Sequence, residues 1–230
     1  MPTTSIGMDI LAGMPKRQAL AAGLWAALLA ASLALSVLAA GHDWLPGDLS
    51  IMSWGQERAV PGMDLSRAVR AIGSTEVVLG TGAAAAVGLW LARRRREAVL
   101  LGLGLVVLPL LQHGLKELVD RPRPSEELVD LRAGFSSPSF PSGHVMSPAL
   151  LYGFLLYLSL RTRANPWLRA AVAGVALFML LFSGPANVYV GVHWPSDVLG
   201  GYAWGLVLLL PLLYGIEWER LLQNHSVLSP

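Results

Sequence analysis

Long runs without a charge are the feature that most limits what this chain can fold into. A hydrocarbon layer about 30 Å thick takes roughly 20 apolar residues of helix to cross, and six stretches approach that length: Gln18 to Ala40, about Ser74 to Ala92, about Ala98 to Leu115, about Val145 to Leu160, about Leu168 to Phe182, and about Val198 to Ile216. They are apolar nearly all round, whereas a helix of a soluble bundle keeps a polar face. Over the whole chain of 230 residues only 14% are charged and 54% are hydrophobic, against about a quarter charged in soluble domains. The fold class expected is therefore all-α, a polytopic membrane protein with six transmembrane helices. It would form one membrane domain over residues 18–216, flanked by short segments 1–17 and 217–230. The first run follows Lys16 and Arg17 as a signal peptide would, but it exceeds the 7 to 15 apolar residues of a signal-peptide core, which favours a retained anchor.

Charge sets the expected orientation. Arginine and lysine in short loops stay cytoplasmic, and they gather at Lys16 and Arg17, at Arg93 to Arg96, and at Arg161, Arg163 and Arg169. The alternate segments, 41–73, 116–144 and 183–197, hold most of the acids, among them Asp43, Asp48, Glu57, Asp64, Glu117, Asp120, Glu126, Glu127 and Asp130. Both termini are expected in the cytoplasm and these three segments outside. In the first of them, Trp44, Trp54 and the pattern Leu65, Val69, Ile72 fit a short amphipathic helix on the membrane surface, although a plain connecting loop accounts for them equally well. The formal charge of +2 gives no reason to expect a nucleic-acid partner. With no cysteine in the chain, chemistry falls to His, Ser, Lys, Arg and carboxylates.

Three outer stretches concentrate such groups. In Lys116–Pro124 (KELVDRPRP) a lysine and an arginine seven positions apart leave the membrane where prolines stop the helix. Two fixed cations there suit a phosphate, though snorkelling side chains at a helix end give the same pattern. In Phe140–His144 (FPSGH) Ser142 can cap the following helix and Gly143 lets a ligand approach the backbone. Unpaired amides at the positive end of a helix make an anion cradle, with His144 beside it. In Asn187–Asp197 (NVYVGVHWPSD) His193 and Asp197 lie four apart. A carboxylate that fixes one imidazole nitrogen leaves the other as nucleophile or base; an aromatic interface belt of Tyr189, His193 and Trp194 is the alternative. Two histidines and an aspartate could also bind a metal, but Lys116 and Arg123 alongside would repel it.

Taken together and in this order, the three stretches resemble the type 2 phosphatidic acid phosphatase superfamily, whose pattern is K-x6-R-P, then P-S-G-H, then S-R-x5-H-x3-D. Lys116, Arg123 and Pro124, then Pro141 to His144, then His193 and Asp197 match it. The resemblance covers about residues 42–215. It implies a metal-independent phosphatase without cofactor, seated in the inner membrane of a bacterial cell with its site on the outer side. His193 would attack phosphorus to give a phosphohistidine, Asp197 would orient it, and His144 would protonate the leaving oxygen. Lys116, Arg123, Ser142 and the Gly143 amide would hold the phosphoryl oxygens. A site at the membrane surface suits an amphiphile such as phosphatidate, phosphatidylglycerophosphate or a polyprenyl diphosphate. The oligomeric state is not implied.

One departure stands out. Asn187 and Ala186 occupy the places of the pattern's arginine and serine; Asn187 is still expected at the phosphate, where an amide can donate one or two hydrogen bonds but lacks a guanidinium's charge and bidentate grip. An arginine restored at 187 is expected to raise the rate; Arg121 and Arg132 are the candidates to fill the place if it does not. A catalytically impaired relative that binds a lipid phosphate or partners another membrane protein is the second reading. A transporter would want charged groups in mid-membrane, where the runs offer only Pro109 and Gln112.

Overall fold

A computed structural model describes residues 16–226 of the backbone and, apart from helix ends, the side chains of 18–217. The expected terminal segments 1–17 and 217–230 lie largely outside the described residues. Those described form eight helices and no strand. They are α1 (Lys16–Ala40), α2 (Asp48–Glu57), α3 (Met63–Ile72), α4 (Thr75–Leu91), α5 (Arg95–Val119), α6 (Gly143–Arg161), α7 (Pro166–Tyr189) and α8 (Pro195–Ser226).

Five helices, α1 and α5 to α8, are each long and apolar enough to cross a bilayer. The expected second span differs. The 17 residues of α4 rise only about 26 Å, and α4 meets the length requirement only together with α3, from which it bends by 52°. The break falls at Gly73 and Ser74, where Ser74 Oγ caps α4 by accepting from the Val77 amide at 3.3 Å. Segment 41–73 holds two helices where one was expected. Of these α3 does not lie free on a surface: it buries Ser66 and Val69 and packs on α7.

At the centre stands α6, the most buried span, contacting α4, α5, α7 and α8. Small residues bring α8 against it. A Cβ at Gly205 would fall 2.6 Å from Ala149 Cβ, and one at Gly201 would fall 2.8 Å from the Ser142 carbonyl oxygen. Close backbone approach through glycine replaces the hydrophobic drive that lipid does not supply between helices. By contrast α1 is largely exposed and is fastened to α8 through Trp25 Nε1, which donates to the Val207 carbonyl at 3.0 Å, and Trp204 Nε1, which donates to Ser36 Oγ at 3.1 Å. Gln112, the odd polar residue of the third run, donates to Ser147 Oγ at 2.8 Å and accepts from Thr75 Oγ1 at 3.2 Å, so the polar atoms between α4, α5 and α6 satisfy one another.

Candidate active site

The loop 120–142 folds over one end of the bundle because its partners lie far along the chain. Gln56 on α2 donates to the carbonyls of Asp130 and Tyr189 at 2.7 and 3.1 Å and accepts from the Asp130 amide. Gly191 closes the turn after α7 at φ +84°, where a Cβ would strike the Asp130 carbonyl oxygen at 2.5 Å, so both the backbone angle and the space demand glycine.

Within this cap Asp197 is fully buried and heavily hydrogen-bonded. Its Oδ1 accepts from Arg121 Nη1 at 2.6 Å. Its Oδ2 accepts from the Trp194 amide at 2.9 Å and from the Ser139 hydroxyl. His193 Nδ1 lies 3.6 Å from the same oxygen, longer than a hydrogen bond but close enough for charge to act. On the ring's other side, Arg123 Nη1 stands 3.2 Å from Nε2. A guanidinium only donates, which assigns the lone pair to Nε2 and the proton to the Nδ1 facing Asp197. Burial, with the Arg123 and Lys116 charges working in the same direction, lowers the His193 pKa to about 3 against the pull of Asp197. The imidazole is neutral at pH 7, as a nucleophile must be. His193 and Trp194 are each 1% exposed, so they do not form a lipid-facing aromatic belt.

Lys116 Nζ donates to the Pro138 carbonyl at 2.5 Å, and Arg123 donates to the same oxygen at 3.4 Å and to the carbonyls of Ser137 and Val192 at 2.7 and 2.6 Å. The two cations thus share one loop. Burial first, and the neighbouring Arg70 charge, lower the Arg123 pKa to about 10 in spite of Asp197, and it stays charged at neutral pH.

Ser142 sits at the N-cap of α6, but its side chain makes no capping bond, which corrects the expected role. Its amide donates to the Asp197 carbonyl at 3.1 Å, joining the second stretch to the third. Its Oγ is buried and has no hydrogen-bond partner, and an unpaired buried hydroxyl is costly unless something uses it. Gly143 and His144 follow at the first positions of α6, where backbone amides have no partner inside the helix. His144 feels the charges of Arg70, Glu76, Arg123 and Lys116, in that order. The three stretches therefore converge at one end of the bundle.

Both alternative candidates for the missing cation are committed elsewhere. Arg121 is 1% exposed and committed: besides Asp197 it donates to Ser196 Oγ at 2.7 Å, to Asp48 Oδ2 at 3.0 Å and to the His42 carbonyl at 3.2 Å. Arg132 is held by Asp130 at 2.8 Å and lies over the Tyr189 ring at 4.3 Å. Neither reaches Asn187. Asn187, expected at the phosphate, is itself engaged within the protein: its Nδ2 donates to the Ser183 carbonyl at 2.8 Å, and the partner of its Oδ1 is Arg70 Nη1 of α3, a residue that reading the sequence passed over. Three arginines, Arg58, Arg67 and Arg70, in a segment otherwise rich in acids were the available signal.

Known proteins resemble this chain in sequence and in fold. Over 124 residues the chain is 33% identical to phosphatidylglycerophosphatase B of Bacillus subtilis (strain 168), covering 53% of this chain and 59% of that protein. Over 118 residues it is 33% identical to decaprenylphosphoryl-5-phosphoribose phosphatase of Mycobacterium tuberculosis (strain ATCC 25618 / H37Rv), covering 50% and 59%. The alignments thus span about three-fifths of these relatives' length. Among solved structures, the transmembrane PAP2 type phosphatidylglycerolphosphate phosphatase from Bacillus subtilis superposes with a TM-score of 0.69 at 25% identity, over 84% of this chain and 96% of that one. Aquifex aeolicus LpxE shares the fold, with a TM-score of 0.58 at 21% identity over 74% and 96%. The model of the PAP2 superfamily matches residues 97–221, more than half of the chain and all three motif stretches, and the chain belongs to that superfamily.

Proposed function

We propose that this protein is a membrane-embedded, metal-independent phosphatase that hydrolyses a lipid phosphate or polyprenyl diphosphate through a phosphohistidine on His193. The observation that carries the reading is the environment of His193: a buried, neutral ring with its Nε2 lone pair 3.2 Å from Arg123 and its Nδ1 3.6 Å from Asp197. Two of its relatives bear names of phosphatases that act on lipid-linked phosphates.

In the first step Nε2 forms a bond to phosphorus and the P–O bond to the lipid breaks, with His144 giving its proton to the departing oxygen. In the second, water attacks phosphorus while His144 takes a proton back, the N–P bond breaks and inorganic phosphate leaves. Asp197 steadies the Nδ1 proton as the ring gains positive charge. Lys116, Arg123, the Ser142 hydroxyl and the Gly143 amide hold the equatorial oxygens, whose charge is greatest in the transition state. The unpaired Ser142 hydroxyl supports this assignment. Fixed cations do the neutralising that a metal ion does in other phosphatases. The acid-rich segments that carry the site face outward from a bacterial inner membrane, where an amphiphile presents its headgroup while its tails stay in lipid.

The test uses purified protein in detergent with a panel of lipid phosphates and polyprenyl diphosphates, with and without chelator. Phosphate release that survives chelation, with a radiolabelled phosphoenzyme trapped in wild type and absent from His193→Gln, is the expected result. Activity that disappears with chelator and returns with magnesium sinks the metal-independent reading; labelling that persists in His193→Gln sinks the nucleophile.

A further inference from the structure

We propose that Arg70 is the third phosphate-binding cation of this site, carried in from α3, and that Asn187 is the residue that positions it. This inference rests on the phosphatase reading above and deepens it.

The geometry begins at Asn187, which is fully buried. Its Nδ2 donates to the Ser183 carbonyl at 2.8 Å, one turn back on α7, which leaves Oδ1 as the acceptor. The Arg70 Nη1 takes that acceptor. Arg70 is thus tethered to the side chain of residue 187 itself, and its guanidinium occupies the space into which a longer side chain at 187 would extend. Where the motif draws a cation from α7, this chain brings one across from α3 and holds it with an amide.

A charge drawn out of water is best compensated by an opposite charge. Among the described residues no carboxylate lies within ion-pair distance of Arg70, and the hydrogen bond to Asn187 is neutral on the amide side. Its charge instead bears on Arg123 and, more than any other charge, on His144. Three cations, Arg70, Arg123 and Lys116, therefore face a common region. The nearby Asp197 is already engaged by Arg121. Such a cluster repels itself until an anion enters, and a phosphoryl group with charge on three oxygens answers it.

The fold keeps Arg70 in place. On α3 it follows Ser66 and Val69 onto the inward face. At the bend after α3, a Cβ on Gly73 would lie 3.1 Å from Pro148 Cγ and 3.4 Å from the His144 carbonyl oxygen, so the end of α3 is pressed against the start of α6. The helix that delivers the guanidinium and the helix that delivers His144 are thus packed as a unit.

The experiment compares wild type, Arg70→Gln, Arg70→Lys, Asn187→Ala, Asn187→Arg and the Arg70→Gln/Asn187→Arg double variant in detergent. It reads turnover of dioctanoyl phosphatidate and dioctanoyl phosphatidylglycerophosphate, and the rise in unfolding temperature caused by inorganic phosphate. Arg70→Gln is expected to lower kcat about 100-fold, the scale of losing one transition-state donor, and to abolish the phosphate-induced rise. Arg70→Lys recovers only part, since an ammonium lacks the fork. Asn187→Ala raises KM and lowers kcat about 10-fold by freeing Arg70. Asn187→Arg alone lowers the rate by placing two guanidinium groups together, reversing the gain expected from sequence. In the double variant the new arginine restores much of what Arg70→Gln lost, a rescue that a structural role for Arg70 would not produce. Wild-type kcat and an unchanged phosphate effect in Arg70→Gln overturn the proposal. If wild type fails to turn over either lipid yet phosphate stabilises it and not Arg70→Gln, Arg70 stands as an anion ligand and the phosphatase reading falls. If phosphate stabilises neither and no lipid is turned over, both fall.

Discussion

Arg121 and Asp197 form a sealed ion pair, Nη1 to Oδ1 at 2.6 Å, with both side chains shielded from solvent. The same guanidinium reaches Asp48 at 3.0 Å, so one cation from the loop after α5 ties the start of α2 to the start of α8. Asp48 completes the arrangement by accepting from the Ser196 amide at 2.8 Å. The carboxylate behind His193 is thus built into the frame of the cap.

Removing the cation should cost more than removing either acid. Arg121→Met leaves two buried carboxylates without a counter-charge, a loss of about 3–5 kcal/mol. A marked fall in unfolding temperature in detergent is expected, with partial recovery in Arg121→Met/Asp48→Asn. An Arg121→Met protein that melts within a degree or two of wild type would show that the pair does not hold the cap.

Acid should destabilise the protein through His193. Its folded pKa of about 3 lies below the ordinary imidazole value near 6.5, so the unfolded chain takes up a proton that the folded chain refuses. The contribution is fully present above about pH 6.5 and is lost as pH falls toward 3. His193→Gln should therefore lose less stability than wild type between pH 7 and pH 4.5, as read by unfolding temperature. Parallel pH curves for the two proteins would contradict the burial of a neutral ring.

Gly201 should matter to the rate through backbone contact alone. Its Cβ would meet the Ser142 oxygen at 2.8 Å and Val145 Cβ at 2.9 Å, pushing α8 from the turn that carries Ser142 and Gly143. Gly201→Ala is expected to cost about 1–3 kcal/mol and at least about 10-fold in kcat, on the scale of a small misplacement in a positioned site. Gly114→Ala, on open space in α5, serves as the control and should be neutral or more stable by about 0.5–1 kcal/mol. Equal behaviour of the two variants would remove the packing argument.

Membrane orientation is open to direct measurement. With the arginine-rich ends inside, an alkaline phosphatase reporter fused after Glu127 should be active and one fused after Arg96 or Glu217 inactive. The opposite pattern would turn the protein over and put the site on the cytoplasmic face.

The helices and most residues of the candidate site were legible in the sequence because both are written locally. A lipid-crossing helix shows in its own composition, as at Gln18–Ala40 and in α5 to α8, and the motif positions of Lys116, Arg123, His144, His193 and Asp197 are fixed by spacing within short stretches. The second span was harder to read, because whether α4 crosses alone or with α3 depends on a bend at Gly73 and Ser74 that composition does not encode. Ser142 was placed at a helix start but given the wrong bond, since capping depends on side-chain direction. Only the tertiary structure decided which arginine serves which acid or amide. Arg70 and Asn187 are 117 positions apart and Arg121 and Asp48 are 73 apart. No periodicity links such residues, and in sequence any of several arginines satisfies the same charge balance. Packing chooses among them: α3 against α7 puts Arg70 at Asn187, and the loop after α5 puts Arg121 between two buried carboxylates, where leaving it unpaired would cost more than any local preference could offset.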